Sequence, residues 1–148
     1  MRGRCMCGAV SFEAEPPKFE SHACHCTMCR RWTGGPILCV SVPEPAIRFE
    51  GRAPIRTIQS SGWAERAWCD GCGSGLWYRI TLEGPHSGTL EIPLGLFDAP
   101  DGFLLKSEIF IDRKPACYAF AGERPRLTEA ETMALYAPAP APKEGDAP

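Results

Sequence analysis

The segment SHACHCTMCRRWTG, residues 21–34, places three cysteines and two histidines close together. Thiols crowded in this way are typical of a metal site, and zinc in proteins is usually held by four ligands, chiefly cysteine and histidine. The three thiols, Cys24, Cys26 and Cys29, therefore predict a zinc-binding set. Their spacing leaves open what supplies the fourth ligand.

Two other cysteine pairs are each followed by a glycine, in CMCG at 5–8 and in CDGCG at 69–73. Glycine lets the chain turn tightly, so that backbone N–H groups can point at the sulfurs. Two such turns, distant in sequence, can meet and close a tetrahedral site of four thiolates. The pattern predicts a structural zinc, although ordinary reduced cysteines are the alternative. Its ligands would be Cys5, Cys7, Cys69 and Cys72.

The fourth ligand of the three-thiol set has several candidates. Three protein ligands with one open position are the usual arrangement of a catalytic zinc, with water at the open position at rest and substrate at work. Alternatively, Cys39 or His22 closes the site and both zinc ions are structural. His25 is a further candidate, either as a ligand or as the general acid of a reaction.

The residues around the three-thiol set suggest what it binds. Three thiolates make zinc a mild Lewis acid, which suits holding a substrate sulfur as thiolate. Arg30 and Arg31 can offset the thiolate charge or bind an anionic ligand, or they are a solvated basic pair. Cys39 and Cys117 are predicted to be buried small hydrophobes. Aromatic residues could form the walls of an apolar pocket, although at strand positions they more often belong to the core. The candidates are Trp32, Trp63, Trp77 and Tyr78.

Composition narrows the class of protein that positions these residues. The chain has 148 residues and a formal net charge of −2 without a long basic run, so one globular domain that does not bind nucleic acid is expected. No apolar run approaches the ~20 residues of a membrane span, and the N-terminal residues MRGRCMCGAV lack the apolar segment of a signal peptide. A cytoplasmic location, where nine cysteines stay reduced, is the expectation.

Short alternating runs separated by Pro and Gly indicate the fold class, which is mainly β and antiparallel. One helix is predicted over 127–136, with Thr128 as N-cap and Glu131 completing a capping box. The Pro/Ala-rich segment 137–148 is predicted to be a disordered tail outside the domain at 1–136. The predicted strands lie within 9–15, 37–42, 46–51, 55–60, 65–69, 75–82, 88–97 and 107–112.

Four pieces of the chain resemble the glutathione-dependent formaldehyde-activating enzyme family, also called the centromere-protein-V-type domain. They are GRCMCGAVSFEA at 3–14, CHCTMCRRWTGGP at 24–36, WCDGCGSGLWY at 68–78 and EIFIDRKPACYAFAGERPRL at 108–127. They run in family order. The resemblance implies a tent-like β fold with a short C-terminal helix and two zinc ions per chain. It also implies that the four-thiol set holds the structural zinc and the three-thiol set the active-site zinc.

The family's named activity joins glutathione and formaldehyde into S-hydroxymethylglutathione, formally a carbon–sulfur lyase reaction in reverse. The resemblance thus implies a small thiol and a small aldehyde as partners, and the composition predicts neither a membrane nor a nucleic-acid partner. The alternative is a non-catalytic scaffold with two zinc ions that docks a protein or a small thiol. The sequence does not indicate whether the protein is a monomer or an oligomer.

Overall fold

The computed structural model describes residues 1–136, and the predicted tail at 137–148 lies outside them. The chain forms a three-stranded sheet in the order β1-β2-β5 and an eight-stranded sheet in the order β11-β10-β3-β4-β9-β8-β7-β6. The strands are β1 (Arg2–Arg4), β2 (Val10–Ala14), β3 (Glu20–Cys24), β4 (Ile37–Pro43), β5 (Ile47–Gly51), β6 (Ile55–Ser61), β7 (Ala64–Cys69), β8 (Gly75–Ile80), β9 (Thr89–Pro93), β10 (Leu104–Ile109) and β11 (Arg126–Leu127). The two α-helices are α1 (Thr27–Thr33) and α2 (Glu129–Tyr136).

The mainly β fold class with a short C-terminal helix is confirmed. Most strand pairs are antiparallel, as predicted, but β10 pairs in parallel with both β3 and β11. Strand β3, which was not among the predicted strands, ends at Cys24 and carries it into the sheet. Its five residues, ESHAC, are too short and too mixed in polarity to show a period of two.

The main core lies between the two sheets. On β2 the residues Val10, Phe12 and Ala14 are buried while Glu13 is exposed, which is the alternation expected of a strand with one buried face. Phe12 packs edge-on against Phe97, with ring centroids 5.2 Å apart. The residues that share this core are Phe12, Ala14, Val40, Val42, Leu90, Ile92 and Phe97.

Both α-helices are short, and each begins at a side-chain cap. The N–H of Cys29 donates to Cys26 Sγ at the start of α1, at 3.4 Å. At α2 the predicted capping box is present: the Thr128 N–H donates to Glu131 Oε2 at 2.7 Å, and the Glu131 N–H donates to Thr128 Oγ1 at 3.3 Å. Local sequence therefore determines where each helix begins.

Across residues 1–136, none of the helices combines the length and the apolar character that a membrane span requires. The cytoplasmic location and the domain boundary at residue 136 stay predictions.

Candidate metal centres

Four sulfurs from two distant turns meet at one end of the core. The turn between β1 and β2 brings Cys5 and Cys7, the turn between β7 and β8 brings Cys69 and Cys72, and all four Sγ atoms lie within 4.8 Å of one another. The Cys5 and Cys7 sulfurs are 3.5 Å apart, and those of Cys7 and Cys69 are 4.0 Å apart. Four sulfurs at tetrahedral zinc are about 3.8 Å apart. All four cysteines are free thiols, so the geometry fits a metal ion.

The turns that present these sulfurs have the form expected from their glycines. Gly8 and Gly73 adopt left-handed conformations, with φ of 69° and 75°, which glycine reaches without strain. The Val10 N–H donates to Cys5 Sγ at 3.3 Å. A hydrogen bond from Ser74 lowers the pKa of Cys72 to about 6. These donors favour thiolates, which are the form that binds metal.

The second set forms where β3 ends and α1 begins. The sulfurs of Cys24, Cys26 and Cys29 lie within 4.8 Å of one another, with Cys24 and Cys29 buried and Cys26 half-buried. Among the described residues this set contains three ligand atoms, and neither histidine of the segment nor Cys39 belongs to it. Cys39 is instead a buried residue packed beside the set, as predicted for a small hydrophobe.

Of the three sulfurs, that of Cys26 carries a negative charge most readily. Hydrogen bonds from Cys24 and Cys29 lower the pKa of Cys26 to about 2, and the same contact raises the pKa of Cys24. One thiolate is therefore stabilised by two neighbouring thiols and by the Cys29 N–H. A soft divalent cation can take the place of the remaining thiol protons, so this donor set also fits zinc.

Arg66 on β7 is a residue of this site that the sequence analysis did not identify. Its side chain is buried, with 2% of the residue exposed, and its Nη2 donates to Cys29 Sγ at 3.5 Å. The signal available in the sequence was weak. Arg66 lies on the same buried face of β7 as Ala64. A charged side chain is unusual at such a position.

His25 lies between two of the cysteines in sequence but faces away from their sulfurs. It is fully buried, its Nε2 lies 2.9 Å from Glu108 Oε2, and its Nδ1 lies 2.9 Å from the Tyr118 hydroxyl. The ionised Glu108 accepts a hydrogen bond from Nε2–H, so in the neutral ring the Tyr118 hydroxyl donates to Nδ1. Both ring nitrogens are thus satisfied within the protein.

Glu108 connects this pair to the C-terminal segment. Its Oε1 accepts from Arg124 Nη1 at 2.8 Å and from Arg126 Nε at 3.3 Å. Burial alone would raise the pKa of Glu108, but hydrogen bonds from Arg124, His25 and Arg126 outweigh burial and lower it. The carboxylate therefore stays charged and stabilises the fold at neutral pH.

A Glu108→Gln variant is expected to lose about 3 kcal/mol of unfolding free energy at pH 7, because Arg124 and Arg126 lose their anion. The folded-state pKa is lowered, so the stabilisation is present above the ordinary pKa of about 4.3 and disappears as pH falls through the folded value. Urea unfolding between pH 7 and 3 should show the two proteins converging toward acid. The exposed pair of Glu13 gives a control, since Glu13→Gln should change little. A stability difference that stays constant down to pH 3 would contradict this explanation.

A cavity of about 590 Å³ runs along α1. Thr27, Arg30, Arg31 and Tyr118 line it, and so does Cys117, which is exposed. The prediction of a buried Cys117 is therefore wrong. Cys117 lies outside the strands, in an irregular segment between β10 and β11, where no sheet face covers it.

The aromatic residues predicted as pocket walls do not line this cavity. Trp77 packs in the core against Phe49, with ring centroids 4.9 Å apart, and Trp63 is exposed. Trp32 and Tyr78 lie against the Arg66 guanidinium, whose carbon is 5.9 and 4.9 Å from their ring centroids. These two rings therefore shape the surroundings of the three-thiol set.

The chain is similar to known proteins of one enzyme family. The sequence profile of the glutathione-dependent formaldehyde-activating enzyme family matches residues 1–113. An uncharacterized lyase of Schizosaccharomyces pombe is 31% identical over 134 residues, which cover 88% of this chain and 93% of the relative. A protein of Halomonas elongata, provisionally named a glutathione-dependent formaldehyde-activating enzyme, is 31% identical over 87 residues, which cover 52% of this chain and 54% of that protein.

A crystal structure of a Rhodobacter sphaeroides protein shares the fold, with a TM-score of 0.53 at 20% identity, over 67% of this chain and 89% of that one. The family profile covers most of the chain, including all seven cysteines of the two sets. The chain belongs to the glutathione-dependent formaldehyde-activating enzyme family.

Proposed function

We propose that this protein is a zinc enzyme that joins a glutathione-like thiol to a formaldehyde-like aldehyde and yields an S-hydroxymethyl adduct. This is a carbon–sulfur lyase reaction in reverse. The observation that carries the proposal is the three-sulfur set at Cys24, Cys26 and Cys29, which leaves zinc one ligand short of four. The four-thiol set would hold a second, structural zinc, so that a fully loaded chain contains two ions.

A zinc ion at the three-sulfur set would lower the pKa of a thiol that binds there, which supplies a thiolate near neutral pH. The reaction itself forms one carbon–sulfur bond. The thiol sulfur, freed of its proton, attacks the carbonyl carbon, and the carbonyl π electrons move to oxygen, which then takes up a proton. Holding thiol and aldehyde side by side removes much of the entropic barrier.

The basic residues along the cavity support an acidic thiol. Arg30 and Arg31 line the cavity, and within residues 1–136 neither is within ion-pair distance of a carboxylate. Arg30 Nε donates to the His25 carbonyl at 3.0 Å, which ties it to the cysteine loop. Glutathione carries two carboxylates, and guanidinium groups bind carboxylates through paired N–H donors.

Proton delivery to the new hydroxyl group is proposed for His25. Its Nδ1 meets the Tyr118 hydroxyl, and Tyr118 lines the cavity. When both ring nitrogens carry a proton, Nδ1 would donate to the Tyr118 oxygen, and the Tyr118 hydroxyl proton would pass to a bound substrate. Glu108 holds the ring in place through Nε2. This arrangement follows the usual logic of an acid–base residue that is oriented by a buried carboxylate.

Glutathione is expected to bind the zinc-loaded protein at least about tenfold more tightly than its analogue with the thiol replaced by a hydroxyl, because only sulfur makes the soft metal bond. Binding should release a proton and should strengthen as pH rises towards the free-thiol pKa of about 8.5, since the thiol loses its proton on binding. Calorimetry in buffers of different ionisation enthalpy measures both quantities.

A Cys26→Ser variant is the matched control for this comparison, and it should barely distinguish the two ligands. Equal binding of both ligands to the intact protein, without proton release, would exclude the thiolate mechanism. A non-catalytic scaffold with two zinc ions would then be the better interpretation.

A further inference from the structure

Arg66 is a buried cation without a carboxylate partner. Within residues 1–136 no acidic side chain lies within ion-pair distance of it, and its one side-chain hydrogen bond goes to Cys29 Sγ at 3.5 Å. A guanidinium keeps its charge at any physiological pH, and burying such a charge unpaired is costly. The negative charge of the thiol set is therefore the partner that makes a buried Arg66 acceptable.

The surroundings of Arg66 hold the guanidinium against that sulfur. Tyr78 and Trp32 present ring faces to it, and cation–π contacts of this kind strengthen when water is excluded. Gly75 allows Trp32 to take this position, because a Cβ at residue 75 would lie 2.8 Å from Trp32 Nε1. Three elements, β7, β8 and α1, thus contribute to one arrangement around a single positive charge.

We propose that Arg66 neutralises the metal-loaded Cys24–Cys26–Cys29 centre and thereby lets its open position accept anionic ligands. Three thiolates around a divalent cation leave one negative charge in excess, which would repel an incoming thiolate. The adjacent guanidinium cancels that excess. This inference rests on the proposed function, which places a metal ion at the site. It adds that Arg66 is the residue that allows an anionic ligand to bind this metal ion.

Cobalt(II)-loaded protein tests the proposal, with azide as the anionic probe and imidazole as the neutral one. Visible absorption reports ligand binding at a cysteine-bound cobalt, and a closed four-sulfur site has no position for either probe. Azide should bind the intact protein. Arg66→Met, which keeps an apolar side chain of similar length, should weaken azide binding about ten- to hundredfold and imidazole binding less than about threefold.

Two other variants separate charge from shape. Arg66→Lys keeps the charge and should retain the azide preference within about threefold, although it loses the planar stacking. Arg48→Met removes an equally charged side chain from the protein surface, where Arg48 pairs with Glu50, and should change neither affinity. If Arg66→Met does not fold, the azide and imidazole affinities of the intact protein and of Arg66→Lys decide the question.

The proposal would be overturned if azide did not bind the intact protein, or if Arg66→Met lost azide and imidazole binding equally. It would also be overturned if Arg66→Lys lost as much azide binding as Arg66→Met. Cobalt loading without thiolate-type absorption would overturn it as well. The probes report the charge of the centre without turnover. An intact azide preference with no conversion of glutathione and formaldehyde would contradict the proposed function and leave the role of Arg66 standing.

Discussion

A Cys69→Ser variant is expected to lose its cooperative fold. Cys69 is fully buried, and within the four-thiol set its sulfur lies 4.0 Å from that of Cys7, which is 62 residues away in the sequence. Structural zinc sites contribute about 10–16 kcal/mol in small domains, while whole domains are stable by about 5–15 kcal/mol. A substitution that releases the metal can therefore remove more free energy than the entire stability of the fold. Circular dichroism melts and metal analysis measure the change.

The control for Cys69→Ser is another buried cysteine outside the metal sets. Cys39 on β4 is 2% exposed, and Cys39→Ala should keep a cooperative melt and two zinc ions per chain, with a loss of only about 1 kcal/mol for the missing sulfur. If Cys69→Ser retained two zinc ions and the melting temperature of the intact protein, the structural assignment of the four-thiol set would have to be abandoned.

A Cys26→Ser variant is expected to fold while losing the second metal ion and more than about a hundredfold in activity. Cys26 is half-buried and caps α1 through its sulfur, which accepts from the Cys29 N–H. Serine is one of the preferred residues at this position and can accept the same hydrogen bond, so the helix keeps its cap. The cost in unfolding free energy should be within about 1 kcal/mol.

Metal analysis and thermal melts on the same samples check this result. The intact protein should contain two zinc ions per chain and the Cys26→Ser variant one. If Cys26→Ser and Cys69→Ser were unfolded to the same degree, the division into a structural and an active-site centre would be wrong. If Cys26→Ser kept full activity with formaldehyde and glutathione, the three-sulfur set would not be the reaction site.

The local groups of cysteines, 5 with 7, 24 with 26 and 29, and 69 with 72, could be read from the sequence by itself. Sulfurs that are two or three residues apart can be brought to one point by a tight turn, which is the usual spacing of zinc ligands. The glycines at positions 8 and 73 mark those turns, and both have the left-handed conformation that the turn requires. The capping box of α2 could also be predicted from nearby residues, because Thr128 and Glu131 are one helical turn apart. Each of these features is determined by a few consecutive residues.

Only the tertiary structure decided what surrounds the sulfurs. Arg66 reaches Cys29 across 37 residues of sequence, and His25 meets Glu108 and Tyr118 across 83 and 93 residues. The parallel pairing of β3 with β10 brings that second group together, and a short strand carries no local signal of its partner's direction. The exposure of Cys117 likewise depends on the tertiary structure, because no sheet face covers the segment that carries it. Local spacing determines which neighbouring cysteines can act together as metal ligands. The meeting of the two distant cysteine pairs and the charges beside the three-sulfur set depend on long-range strand pairing, and hence on the burial of the whole chain.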